Sequence, residues 1–182
     1  DNFQEYPYNG VANRTSPTNI GFYLLSILSV RDLEFIETTE MVDLIELTLE
    51  TIEKMEKWQG HIYNWYDTET LEPLRPIFVS TVDSGNFISY LIVLKEGLKE
   101  YLKPLLDKQC NEELISKMKS LMDRITKLID DTKFKPLYDE DKDLFYIGFN
   151  VEEDKELNIH YDLLASEART ASYIAISRRE VP

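Results

Sequence analysis

The stretch GHIYNWYDTETLEPL, Gly60–Leu74, separates two segments that have clear helical periodicity. It places Tyr63, Trp65 and Tyr66 around Asn64 and Asp67 and ends in turn-forming residues. A loop that only connects two helices does not need three large aromatic side chains. The stretch therefore predicts a loop with its own role, either packed on the helix ends or forming the rim of a binding site.

Helical periodicity extends on both sides of this loop. The sequence predicts five helices, at residues 17–33, 39–55, 83–102, 111–129 and 161–177. The first, the fifth and the front of the third are apolar over a wide arc, whereas the second and fourth carry one narrow apolar stripe. Because a helix that is hydrophobic all round is buried, the odd-numbered helices are predicted to form an inner layer. The even-numbered helices are predicted to cover it.

The connections alternate in length in the same way. Turns from an odd to an even helix are short, but residues 58–82 and 134–160 form long loops. Each long loop contains a strand-like piece, HIYNWYD or LFYIGFNV, which predicts short β-hairpins. Antiparallel helices with such loops bring the starts of all inner helices to one end. We therefore predict an all-α fold, a partial α/α toroid of antiparallel helical hairpins with short β-hairpins in the long loops. An open array of helical repeats is the alternative.

Composition limits the classes of partner. The 182 residues include 34 acidic and 20 basic ones, for a net charge of −14. This charge argues against nucleic acid and against direct contact with an anionic membrane surface, which both need clustered Lys and Arg. No run of 18 apolar residues is present, so no bilayer span is expected. The whole chain, residues 1–182, is expected to be one fragment cut from a longer polypeptide.

Metal and cofactor chemistry is not indicated. Cys110 is the only cysteine, so no internal disulfide can form. It is expected to lie in a turn between two helices and to have a structural or neutral role. His61 and His160 are the only histidines, and neither has metal-ligand spacing. The glycines are too dispersed for a phosphate loop. The sequence thus predicts no metal and no cofactor.

Polar residues at the predicted helix starts are candidates for ligand contact. Asp83 and Ser84 head the third helix and Asp162 heads the fifth, where Asp and Ser also serve as simple helix caps. Glu167 falls one turn into a helix that is otherwise apolar, where a carboxylate must be paired or functional. Together with the aromatic loop, these groups have the mixture of apolar walls and hydrogen-bonding groups that sugar sites use.

Four motifs give these residues a family context. RTSPTNIGFYLLS, GHIYNWYDTETLEPL, VSTVDSGNFISYL and YDLLASEARTASYIAI closely resemble the middle region of bacterial cyclic β-1,2-glucan synthases. That region is a glucoamylase-like α/α toroid in a membrane-anchored protein. The resemblance implies that the chain is the N-terminal part of the toroid region, which continues beyond Pro182. It also implies a place on the cytoplasmic side of the inner membrane.

The resemblance further implies a role in cyclising or processing β-1,2-glucan. The catalytic residues are expected beyond Pro182, so the isolated fragment is expected to be inactive. Glucan contacts are expected from seven residues in matching motifs: Asn19, Trp65, Asp67, Asp83, Asn86, Asp162 and Glu167. Expected protein partners are the flanking regions and a second copy bound through exposed inner helices. The alternative is a non-catalytic helical module that docks the catalytic regions; a zinc-dependent toroid cyclase is disfavoured by the missing ligands.

Overall fold

The computed structural model describes residues 2–8, 10–108, 111–162 and 167–182, and Cys110 lies outside these ranges. Helices dominate the described chain. They are α1 (Pro17–Asp32), α2 (Thr38–Lys54), α3 (Thr81–Asp107), α4 (Glu112–Asp131) and α5 (Arg169–Ser177), with a 3-10 turn at Lys135–Leu137. The five predicted helices are therefore present, and the first, second and fourth begin within one residue of the predicted position.

The start and the end of α3 differ from the prediction. Ser80 caps this helix, because its Oγ accepts a hydrogen bond of 3.2 Å from the amide of Asp83. Asp83 therefore lies on the first turn of the helix, and Ser84 is buried on the same turn. At the other end, α3 continues past Pro104 to Asp107, although a proline costs one helical hydrogen bond.

The fifth helix also begins later than predicted. Tyr161 and Asp162 lie outside any helix, and α5 begins at Arg169. Residues 163–166 of the predicted helix lie outside the described residues. Glu167 is exposed in the turn before α5, so the argument that it is a carboxylate on a buried helix was wrong.

The chain divides into two compact units, which we describe separately. One unit contains residues 21–54 and 90–131. Within it α2 packs on α4 through the narrow stripes that the sequence predicts, and three pairs of opposite charge flank the contact. Lys117 Nζ lies 2.7 Å from Asp43 and 2.5 Å from Glu46, and Arg124 Nε lies 2.8 Å from Glu53.

The parts of α1 and α3 in this unit also pack on each other. The rings of Phe22 and Tyr90 are 4.9 Å apart, and Gly97 approaches the side chain of Leu28. Within this unit α1 thus contacts α3 and α2 contacts α4, and the arrangement in inner and outer layers stays a prediction. However, Phe22 and Tyr23 remain 55% and 50% exposed, so α1 is not buried all round in this chain.

The other unit contains residues 1–20, 55–89 and 132–182, including all strands of the described chain. These are β1 (Asn2–Gln4), β2 (Gly10–Ala12), β3 (Arg14–Thr15), β4 (Lys57–Trp58), β5 (His61–Ile62), β6 (Tyr66–Asp67), β7 (Phe78–Ser80), β8 (Tyr138–Asp139), β9 (Leu144–Phe145), β10 (Gly148–Asn150) and β11 (Lys155–Glu156). They form the two-stranded sheets β1-β2, β3-β6, β4-β5 and β8-β9 and the three-stranded antiparallel sheet β11-β10-β7. The all-α class is therefore not confirmed, because the long loops carry small sheets as well as hairpins.

The close approach of two strands in the three-stranded sheet requires a glycine. Gly148 of β10 pairs with Ser80 of β7. A Cβ at position 148 would lie 2.1 Å from the carbonyl oxygen of Val79 and 2.2 Å from the ring of Phe78. No other residue fits there without moving the backbone of β7.

The β4–β5 hairpin buries a histidine. Its two turn residues, Gln59 and Gly60, have φ of 52° and 83°, as a type I′ turn requires. His61 follows and is 1% exposed, and its Nε2 donates a hydrogen bond of 2.7 Å to the carbonyl of Lys133. Burial, aided by the charge of Arg178, lowers the pKa of His61 to about 4, although the hydrogen bond to Lys133 opposes this shift.

We predict that His61 makes the fold sensitive to acid. Between pH 6.5 and pH 4 the unfolded chain binds a proton at His61 that the folded chain does not bind, so the free energy of unfolding decreases as the pH falls. A lowering of about 2.5 pKa units corresponds to roughly 3 kcal/mol near pH 4. Urea unfolding of the wild type and of His61→Gln at pH 7 and pH 4.5 measures the effect. The variant should lose less stability on acidification, and equal losses would contradict the prediction.

A second prediction compares two glycines of α3. A Cβ at Gly85 would lie 2.7 Å from the backbone of Ala171 in α5, whereas a Cβ at Gly97 would meet side-chain atoms of Leu28, chiefly its two terminal methyl groups. We expect Gly85→Ala to reduce the free energy of unfolding by about 1–3 kcal/mol. Gly97→Ala should be neutral or stabilising, since Leu28 can rotate and alanine favours helix by up to about 1 kcal/mol. Thermal and urea unfolding of both variants tests this, and similar effects of the two changes would refute it.

Candidate functional site

Asp83 is the centre of a set of polar contacts within the strand-containing unit. Its Oδ1 accepts a hydrogen bond of 2.6 Å from the hydroxyl of Thr18 on the first turn of α1. With the Asn64 amide turned to satisfy both of its neighbours, the Asn64 nitrogen donates to Asp83 Oδ2 at 3.1 Å. In the same orientation the Asn64 oxygen accepts a bond of 3.2 Å from Trp65 Nε1. A continuous chain of hydrogen bonds thus connects Trp65 to Asp83.

Local capping explains why these groups meet. Ser16 caps α1, accepting a bond of 3.3 Å from the amide of Asn19, as Ser80 caps α3. Thr18 and Asp83 consequently occupy equivalent first turns of their two helices. The aromatic loop is attached to β7 by a bond of 2.7 Å from the backbone N–H of Asn64 to the carbonyl of Phe78. The predicted convergence of the first and third helix starts with the aromatic loop is therefore confirmed.

Trp65 is the one large aromatic side chain of HIYNWYD that is not buried. It is half-buried, and the guanidinium carbon of Arg14 lies 4.5 Å from its ring centroid, within cation–π distance. The pairing of β3 with β6, which places Arg14 opposite Asp67, holds this contact in place. Trp65 is thus a half-buried aromatic surface that the Asn64 side chain links to the Asp83 carboxylate.

The two tyrosines of the loop have a packing role. Tyr63 and Tyr66 are 3% and 0% exposed, and their rings stack at 5.9 Å. The Tyr66 hydroxyl donates to the carbonyl of Glu56 at 2.5 Å and accepts from the Tyr63 amide at 2.9 Å. Burial, together with the charge of Glu56, raises the pKa of Tyr63 to about 12. For these two residues the packing alternative describes the structure.

The remaining predicted contacts lie at various positions around Asp83. Asp67 closes its own turn: Oδ1 accepts 2.9 Å bonds from the amides of Thr70 and Glu69, and these bonds lower the pKa of Asp67. Asn19 follows Thr18 on α1, and Asn86 lies one turn after Asp83 on α3; both are half-buried. A glucan contact from each of these three residues stays a prediction.

Tyr161 is a member of the site that the sequence did not single out. Burial raises the pKa of its phenol, and the negative charges of Asp83 and Glu167 raise it further. The phenol therefore retains its proton and can donate a hydrogen bond at neutral pH. Asp162, the next residue, is exposed. The sequence signal that could have identified Tyr161 is its position at the start of the motif YDLLASE, directly before Asp162, which was predicted to contact glucan.

Among the described residues, no group of three His, Cys, Asp or Glu side chains is placed to hold a metal ion. None of the helices in the described ranges combines the length and apolar character that a membrane span needs.

A curated protein is similar in sequence to most of the chain. No family model matches the chain. The cyclic β-(1,2)-glucan synthase NdvB of Rhizobium meliloti strain 1021 is 42% identical over 135 residues, which is 73% of this chain. The chain spans only 5% of the length of that relative.

Solved structures share the fold. A glucoamylase-like protein of Bacteroides fragilis superposes on 96% of this chain with a TM-score of 0.74 at 16% identity. An endo-β-1,2-glucanase of Chitinophaga pinensis, solved with sophorotriose and glucose, covers 90% with a TM-score of 0.68 at 16% identity. The chain spans 39% and 36% of those proteins. The chain thus has a glucoamylase-like fold, and its sequence is similar to a segment of a cyclic β-1,2-glucan synthase, as its motifs predict.

Proposed function

We propose that the chain is the first part of an α/α toroid region that binds β-1,2-glucan and helps to cyclise or process it. Three observations support this: the 42% identity to a cyclic β-1,2-glucan synthase, the fold shared with a β-1,2-glucanase, and the arrangement around Asp83. The catalytic carboxylates of such a region would lie in residues that follow Pro182. The parent would be a membrane-anchored glycosyltransferase with this region on the cytoplasmic side of the inner membrane.

The hydrogen-bonding capacity of Asp83 is the observation that carries the proposal. An ionised carboxylate has about four acceptor positions, and among the described residues Thr18 and Asn64 occupy two of those of Asp83. The capacity that remains suits sugar hydroxyls, because a charged acceptor roughly doubles the strength of a hydrogen bond. The half-buried ring of Trp65 next to Asn64 adds the apolar surface on which a sugar ring packs.

A second candidate is a helical module that docks neighbouring catalytic regions without binding sugar. The exposed apolar side chains of the helical unit favour it: Phe35, Leu33 and Leu47 are 76%, 66% and 61% exposed. The same surface would bind a second copy in the proposed homodimer. The two candidates make opposite predictions for changes at Asp83, because the docking surface does not include it.

We predict that Asp83→Asn strongly impairs glucan processing in the complete protein that carries the chain. Asn is nearly isosteric and still accepts a hydrogen bond from Thr18, and the helix cap, Ser80, is untouched. Loss of a charged hydrogen bond, worth about 1.5–3 kcal/mol, should reduce product formation about 10- to 100-fold. The assay is formation of cyclic β-1,2-glucan at an unchanged melting temperature. Wild-type amounts of product from the variant would favour the docking module.

We also predict that Trp65 reports sugar binding by the chain itself. Sophorotriose should change the tryptophan fluorescence of the wild type and of Trp58→Phe, but not that of Trp65→Phe. Trp58 is a matched control, because it lies in the β4–β5 hairpin and stacks on Phe149 of β10 at 4.3 Å. A β-1,4-linked trisaccharide at the same concentration tests linkage preference. Equal responses from all three proteins, or from both sugars, would contradict a β-1,2-glucan site at Trp65.

A further inference from the structure

The three-stranded sheet determines where Tyr161 lies relative to Asp83. Its middle strand, β10, is antiparallel to both β7 and β11, so the two outer strands run in the same direction. Chain segments that leave such outer strands depart at the same edge of the sheet. The first of these segments enters α3 and leads to Asp83, and the second continues to Tyr161.

Backbone hydrogen bonds extend this arrangement beyond the formal strands. The amide of Thr81 donates to the carbonyl of Ile147 at 3.2 Å, and its hydroxyl donates to the carbonyl of Tyr146 at 2.7 Å. On the opposite side of the same segment, the amide of Ile147 donates to the carbonyl of Ile159 at 2.9 Å. The amide of Tyr161 donates to the carbonyl of Phe145 at 3.2 Å. The start of α3 and Tyr161 are thus held by the same central segment.

One side-chain pair secures the outer segment at this point. His160 Nε2 and Asp139 Oδ2 are 2.8 Å apart, and the side chains are only 11% and 10% exposed. The other carboxylate oxygen of Asp139 accepts bonds from the amides of Asp141 and Lys142, at 3.0 and 3.3 Å. The β8–β9 hairpin therefore fixes the carboxylate, and the carboxylate fixes the imidazole of the residue before Tyr161.

Neighbouring groups reinforce the pair. The ring of Tyr146 lies 4.7 Å from that of His160, and the two residues form a β-bridge. Burial alone would raise the pKa of Asp139, but the hydrogen bonds from His160 and from the two amides outweigh it and lower the pKa. Asp139 is consequently ionised at neutral pH and can hold His160 by a charge-assisted bond.

We propose that Asp139 and His160 are positioning residues, which fix the segment of Tyr161 beside the first turn of α3 so that the Tyr161 phenol can donate a hydrogen bond to the bound glucan. The identity of the ligand, a glucan, rests on the proposed function, whereas the positioning of Tyr161 does not. Neither Asp139 nor His160 touches the sugar. Their effect on binding passes through Tyr161, so removal of the Tyr161 hydroxyl should also remove the effect of His160.

A double-mutant cycle tests this dependence. The affinity for sophorotriose is measured for the wild type, His160→Ala, Tyr161→Phe and the double variant, with Tyr138→Phe as a control. The Tyr138 hydroxyl bonds to Asp143 in the same hairpin, 3.1 Å away, and its loss should leave affinity unchanged. His160→Ala and Tyr161→Phe should each weaken binding about tenfold, as expected for the loss of one hydrogen bond. The double variant should also be about tenfold weaker, and His160→Gln, which keeps a donor for Asp139, should recover most of the affinity.

A purely structural role for His160 gives a different result. Independent effects would add to about a hundredfold loss in the double variant, and that outcome, or a normal affinity of Tyr161→Phe, would overturn the proposal.

A second measurement needs no ligand. Carbon-13 NMR of ring-labelled tyrosine, assigned with Tyr161→Phe, should show the Tyr161 signal of His160→Ala shifted towards that of Tyr6, which is 93% exposed. The signal should stay in place in His160→Gln and in Tyr138→Phe. An unmoved signal in His160→Ala would refute the positioning role even if glucan binds. A moved signal without glucan binding to the wild type would uphold the positioning and refute the glucan site.

Discussion

The hydrogen bonds between Thr81 and residues 146 and 147 are the constraint on which the candidate site depends. They attach the first turn of α3 to the central segment of the second long loop. Without them Asp83 and Tyr161, which are 78 positions apart in the chain, would have no common support. The site is therefore a product of the loops at least as much as of the helices, which agrees with the usual location of binding residues on loops held by a rigid scaffold.

Asp83 illustrates how a carboxylate at a helix start is left available for hydrogen bonds other than the helix cap. An aspartate at a helix start normally uses its carboxylate to cap the helix. Here Ser80 supplies the cap, and the carboxylate of Asp83 accepts bonds from Thr18 and Asn64 instead. The serine makes a negative charge available on the first turn of α3, where the positive end of the helix dipole stabilises it.

The helices could be predicted from the sequence because their periodicity is local. The narrow stripes of α2 and α4, including Met41 and Ile125, are buried as expected. The start of α3 was predicted at Asp83 because residues 80–84 contain several good capping residues. Only the observed bond from the Asp83 amide to Ser80 Oγ identifies the cap. Tyr161 was missed because its position beside the start of α3 depends on the pairing of distant strands. Tyr63 and Tyr66 had the composition of a sugar site, but their burial depends on tertiary packing that composition does not encode.

The bare backbone at Gly148 has a consequence for how precisely the site is set. Because a Cβ there would collide with the Val79 carbonyl, β10 cannot slide along β7 by even one residue: a slip would bring Ile147 or Phe149 to the place that admits only hydrogen. Gly148 therefore fixes the register between the two long loops. The residues that follow it, up to the segment that ends at Tyr161, are consequently fixed in position relative to the start of α3. The spacing of the groups around Asp83 is thus set by the absence of a side chain at position 148.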